Sequence, residues 1–171
     1  MGSLAYRAIR TGRRLAALAA GLAGLAALAV ATPAAGQTPP PLAVVVNPGE
    51  TVDGLTMAEF RRMLLGDREF WPSGERVAIL IRAPVARERD LIVRTVCEMT
   101  EAQFRKHWIA KLFRAETPSG PQIVGSIEAT LEQVRALPGA IAVVPFDAVT
   151  AGVKVLAIDG RRPGDAGYPF R

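Results

Sequence analysis

Short apolar runs and amphipathic segments alternate along the chain from residue 42 onward. Four runs of five or six residues are rich in Val, Ile and Ala and are bounded by turn-forming or polar residues: 42–46, 77–81, 140–144 and 153–158. Runs of this length and composition predict buried β-strands.

The segments between these runs carry helical signals. Thr56 to Glu59 and Thr100 to Gln103 both fit the capping box, in which a hydroxyl and a side chain three residues later satisfy the first free N–H groups. In the second of these helices, Phe104, Trp108 and Leu112 form an apolar stripe. Four helices are predicted: after Thr56 up to Gly66, across 87–99, after Thr100, and after Ser126.

Strands that alternate with helices predict a sheet covered by helices. The whole chain has 171 residues, which favours a single domain. We expect that domain to span residues 42–171, with residues 161–171 as an extended tail. Cys97 is the only cysteine, so an intramolecular disulfide is excluded, and it falls on the predicted core face.

The N-terminal region has the layout of a secretory signal peptide. Four arginines precede an apolar stretch at 15–31, and small residues follow at 32–36. We predict a signal peptide at 1–36, a proline-rich linker at 37–41 and a periplasmic location. The alternative is an uncleaved anchor, because the stretch of 17 residues is near the lower limit for crossing a bilayer.

Removal of residues 1–36 changes the charge of the chain. Four of the 21 basic residues lie in this segment, whereas all 16 acidic residues follow it, so the remainder has a net charge of about +1. The pattern gives no electrostatic footprint for nucleic acid.

Candidate catalytic and metal-binding residues are few. His107 is the only histidine, and a zinc site needs three or four ligands. The sequence contains no Gly-rich phosphate loop and no nucleophile motif. We therefore expect no enzyme activity, no metal and no cofactor.

One region could bind an anion. Arg82 ends a predicted strand, and residues 83–86 lead directly into a helix, whose first turn offers unpaired N–H groups and positive potential. Arg87 and Arg89 would add charge there, and Ser126 stands at another predicted helix start. In the alternative interpretation the arginines are solvated or pair with nearby carboxylates, and Ser126 is only a cap.

Three segments together resemble the phosphate-binding proteins of ABC transporters. They are Leu-Thr-Met-Ala-Glu-Phe-Arg-Arg-Met-Leu-Leu-Gly at 55–66 with Trp-Pro-Ser-Gly at 71–74, Arg-Lys-His-Trp at 105–108 with Lys-Leu-Phe at 111–113, and 134–144 with its Pro-Gly-Ala-Ile. The resemblance covers most of residues 42–158. It implies an α/β fold with a central mixed sheet flanked by helices, as in one lobe of a type 2 periplasmic binding protein.

The resemblance also implies a function. It suggests that phosphate or another small oxyanion is the ligand and that an ABC transporter is a partner. Arg82 matches the family's ligand arginine, but Ala86-Arg87-Glu88 stands where the family has Ser-Gly-Thr, and Ala142-Val143 replaces Gly-Tyr. A single lobe would leave its ligand half exposed, and a homodimer could supply the second wall. The alternative is an interaction or structural protein of the cell envelope that kept the fold without the pocket.

Overall fold

Residues 39–171 are described by the computed structural model. The predicted signal peptide, 1–36, and the start of the predicted linker lie outside the described residues. None of the helices within 39–171 is long and apolar enough to cross a membrane.

The elements follow one another in an α/β order. The strands are β1 (Leu42–Val46), β2 (Gly54–Leu55), β3 (Ala78–Arg82), β4 (Gln122–Val124), β5 (Ala140–Pro145) and β6 (Lys154–Ile158). The helices are α1 (Met57–Leu64), α2 (Arg87–Thr95), α3 (Glu101–Phe113) and α4 (Ile127–Ala136), with a 3₁₀ turn at Phe146–Ala148.

The strands form one six-stranded mixed sheet in the order β2-β6-β1-β5-β3-β4. The central strand β1 runs antiparallel to both of its neighbours, β5 and β6. Strand β3 runs parallel to β4 and β5, and β2 runs parallel to β6. The predicted fold class is therefore confirmed.

The sheet has an apolar core on each face. Alternate side chains of a strand point to opposite faces, and all five residues of β1 are buried. Leu42, Val44 and Val46 pack into one cluster, with side chains from α1, α2 and α3. Ala43 and Val45 pack into the other cluster, with side chains from α4. Both clusters consist of residues between 42 and 170, so we expect residues 39–171 to fold as an independent unit.

The predicted caps are present. The Thr56 hydroxyl accepts from the Glu59 N–H, the Thr100 hydroxyl accepts from the Gln103 N–H, and both reciprocal bonds are made. The four strongest strand predictions differ from the structure by at most one residue at either end.

Several local predictions are wrong. Leu112 is exposed rather than part of the buried stripe, and the Lys111 stem is buried instead, with its ammonium 2.6 Å from Asp67. Helix α2 ends at Thr95 and not at Met99, because the chain turns through a left-handed residue at Glu98, with φ of 54°.

The C-terminal tail also differs from the expected extended segment. Tyr168 and Phe170 are buried in the larger core cluster. The Phe170 carbonyl accepts a 2.8 Å hydrogen bond from the Leu42 N–H, at the start of β1. The tail is therefore part of the core.

Candidate functional site

The candidate site lies at the carboxyl ends of two parallel strands. In the register of β3 and β4, Arg82 stands opposite Val124, so the two strands end side by side. Helix α2 follows β3 after four residues, and α4 follows β4 after two. In open α/β sheets, ligands commonly bind outside these carboxyl ends, where helices begin. We call this region the β3–β4 corner.

Arg82 is fixed at this corner by the backbone of the neighbouring strand. One guanidinium nitrogen, Nη1, donates to the Val124 carbonyl at 3.1 Å. Its Nε atom is buried and has no hydrogen-bond partner within residues 39–171. Ser126 lies two residues beyond Val124, so the structure brings Arg82 and Ser126 to the same corner.

The start of α2, separated from Arg82 by four residues of the chain, has free backbone donors. Its N-cap residue, Ala86, makes no side-chain capping bond, and the first intrahelical bond runs from the Asp90 N–H to the Ala86 carbonyl. The N–H groups of residues 87–89 come before that bond in the chain, so they have no acceptor within the helix. Such groups carry the positive end of the helix dipole and favour an anion.

The two other arginines near this helix are used for structure. Arg87 donates to the Pro40 carbonyl at 2.9 Å, which ties α2 to the chain segment before β1. Arg89 is buried, donates to both carboxylate oxygens of Glu101 at 3.0 and 2.6 Å, and donates to the Arg82 carbonyl at 3.1 Å. Arg89 therefore braces α2, α3 and the end of β3.

Ser126 is the N-cap of α4, and its hydroxyl accepts from the Ala129 N–H at 3.1 Å. The pKa of Glu128 is lowered, first by its own backbone N–H, then by the Ser126 hydroxyl, and further by the charge of Arg82. The protein's own carboxylate thus lies at the corner as an anion.

Sequence reasoning missed Glu128. Acidic residues are common in the first turn of a helix, where they stabilise its dipole, so the position of Glu128 alone does not mark it as part of a site. Its relation to Arg82 depends on the pairing of β3 with β4, which joins residues about forty positions apart.

The other residues that could carry chemistry have structural surroundings. His107 Nε2 lies 2.9 Å from the Leu65 carbonyl. Cys97 is fully buried, and burial raises the pKa of its thiol to about 12. Within residues 39–171, no group of three or more His, Cys, Asp or Glu side chains is arranged to hold a metal ion.

The described part of the chain has cavities of about 210, 170, 390 and 420 Å³. Arg82, Arg87 and Ser126 line none of these four, whereas Glu128 lines the third, beside Arg135 and Asp147. The corner therefore adjoins one of these cavities only through Glu128, and a ligand held by Arg82 would need a second wall for deep burial.

The fold resembles solved proteins of phosphate transport. A protein from Clostridium perfringens, described as a phosphate ABC transporter substrate-binding protein with bound phosphate, aligns with a TM-score of 0.59 and 16% identity over 72% of this chain and 47% of that chain. An ABC-type phosphate transport receptor from Vibrio cholerae aligns with a TM-score of 0.58 and 17% identity over 72% and 48%. A phosphate-binding protein from Stenotrophomonas maltophilia aligns with a TM-score of 0.59 and 14% identity over 75% and 41%.

At these identities the likeness shows the fold. The resemblance found in the sequence is confirmed at that level: the body has the fold of one lobe of these binding proteins. The chain spans less than half the length of each of these three neighbours. No protein-family model matches the sequence, and the comparison with curated proteins gives no match.

Proposed function

We propose that this chain is a periplasmic solute-binding lobe that takes phosphate, or another small oxyanion, at the β3–β4 corner and works with an ABC transporter. The observation that supports this most strongly is the Arg82 guanidinium, which the Val124 carbonyl holds at the corner and whose buried Nε–H has no partner within residues 39–171. The charge of Arg82 also contributes to the lowered pKa of Glu128, so this corner favours negative charge.

The surrounding geometry and the comparisons support the same role. Backbone N–H groups at the start of α2 and the Arg82 guanidinium are the donor types that bind phosphate oxygens well. The structural neighbours include a protein with bound phosphate. A transporter subunit or a second copy of the chain would supply the wall that a single lobe lacks.

Calorimetric titration of residues 39–171 with phosphate tests the site. We expect saturable binding that is ten- to hundredfold weaker in Arg82→Ala, because a hydrogen bond to a charged group contributes about 1.5–3 kcal/mol. The control is Arg94→Ala, which removes an exposed arginine of α2 that pairs only with Asp90 in the described body. Absence of both heat and thermal stabilisation at millimolar phosphate would exclude oxyanion binding by this domain.

Glu128→Gln tests whether the protein's own carboxylate competes with the ligand. The amide keeps the shape of the side chain but removes the negative charge. We therefore expect phosphate to bind the Glu128→Gln variant severalfold more tightly than it binds the unmodified protein. Glu132→Gln removes the same charge one helical turn further along α4 and should change the affinity little. Equal affinities in Glu128→Gln and the unmodified protein would place the phosphate away from this carboxylate.

A further inference from the structure

An exposed apolar surface lies on the α3 side of the sheet edge. Ile109, Leu112 and Phe113 are 60%, 43% and 92% exposed, and their spacing of three and four residues places them on one face of α3. Ile123 on β4 is 60% exposed. We call these four residues the α3–β4 patch.

A groove runs through this patch. Its volume is about 170 Å³, and Ile109, Leu112 and Ile123 line it together with buried Phe104 and Trp108. One wall is helix α3 and the other is β4, an edge strand of the sheet. A groove beside a sheet edge suits an extended chain, whose side chains alternate between the groove and solvent.

Two cations stand at one end of the patch. Arg105 precedes Ile109 by four residues and lines the groove, and Lys106 precedes it by three. Both side chains are exposed, and neither takes part in an ion pair with another residue of 39–171. By contrast, Arg89 at the same groove is neutralised by Glu101 at 2.6 Å. The unpaired charges of Arg105 and Lys106 favour a partner that carries Asp or Glu.

The charge at the patch favours an acidic segment over a second copy of the chain, because a two-fold contact would bring Arg105 and Lys106 of both copies together. The four side chains of the patch form an exposed apolar cluster of the kind that marks an interaction site. The strand at its edge is only three residues long and follows Pro121, so side-chain anchors must contribute much of the affinity.

We propose that the α3–β4 patch binds an extended segment of a partner protein that carries large apolar residues next to Asp or Glu. The apolar side chains enter the groove between Ile109 and Ile123, and the carboxylates pair with Arg105 and Lys106. The groove is lined by residues other than Arg82, Ser126 and Glu128, so this proposal does not rest on a ligand at the β3–β4 corner.

Selection of a displayed library of random seven-residue peptides on residues 39–171 tests this proposal. We expect the selected peptides to combine Leu, Ile or Phe with adjacent Asp or Glu. Their binding, measured by fluorescence anisotropy, should weaken at least tenfold in Ile109→Glu. The double variant Arg105→Glu/Lys106→Glu should select Lys and Arg in place of the acidic residues. Both variants change exposed positions, and thermal melting checks that they fold.

Three results would overturn the proposal. The first is a library that yields no binders. The second is a set of peptides without the acidic and apolar pattern, or with equal affinity for Ile109→Glu. The third is self-association in sedimentation that Ile109→Glu abolishes, because a second copy would then be the occupant.

Discussion

Phe170→Ala is expected to lower the free energy of unfolding by about 3–5 kcal/mol, the range for a fully buried phenylalanine. The ring is 0% exposed and lies between Phe60 and Tyr168, with centroid distances of 6.0 and 5.5 Å. Alanine would leave a cavity in the larger core cluster. Urea denaturation, followed by the fluorescence of buried Trp71 and Trp108, measures the change.

Phe113→Ala is the matched control for this prediction. The side chain of Phe113 is 92% exposed at the end of α3, so its removal should change stability by no more than about 0.5 kcal/mol. If Phe170→Ala were as stable as Phe113→Ala, the tail would contribute nothing to the core, contrary to the packing described here.

Gly139→Ala is expected to cost about 2–5 kcal/mol, the sum of a left-handed backbone penalty and an overpacking penalty. Its φ is +73°, and a Cβ atom would lie 2.0 Å from the Arg76 carbonyl oxygen. The residue cannot move away easily, because its own carbonyl accepts from the Trp71 indole N–H and from the Ala78 N–H, each at 2.9 Å.

Gly160→Ala separates the two penalties. Gly160 has nearly the same φ, +74°, but a Cβ there would meet nothing within 4 Å. We expect it to cost only the backbone part, about 1–2 kcal/mol. Equal losses of stability in the two variants, measured by the same denaturation, would show that the close approach to Arg76 carries no cost.

Signals that are local in the chain were predictable. The strands β1, β3, β5 and β6 coincide with predominantly apolar runs of five or six residues, and the capping boxes at Thr56 and Thr100 need only four consecutive residues. The strands β2 and β4 were not predicted, because strands of two or three residues that contain or adjoin glycine or proline show no periodicity. The burial of Tyr168 and Phe170 depends on strands far away in sequence, so the glycines and prolines of the tail suggested only an extended segment.

The candidate site was predictable only in part. Arg82 and Ser126 followed from the resemblance and from helix starts, and the pairing of β3 with β4 brings them together. The role of Arg87 depends on the Pro40 carbonyl, 47 residues earlier, which no local pattern reveals. The influence of Arg82 on the pKa of Glu128 becomes apparent only once the pairing of β3 with β4 is known.

The hydrogen bond between Leu42 and Phe170 has a topological consequence. It holds the first and last residues of the packed body 2.8 Å apart, donor to acceptor. A chain whose ends meet in this way can be circularly permuted, or inserted into a surface loop of a host domain, with little distortion of either part. The body is therefore suited to insertion into another domain. For a circular permutant, a short linker would join the present ends, and new ends would be placed in an exposed turn such as that around Gly74.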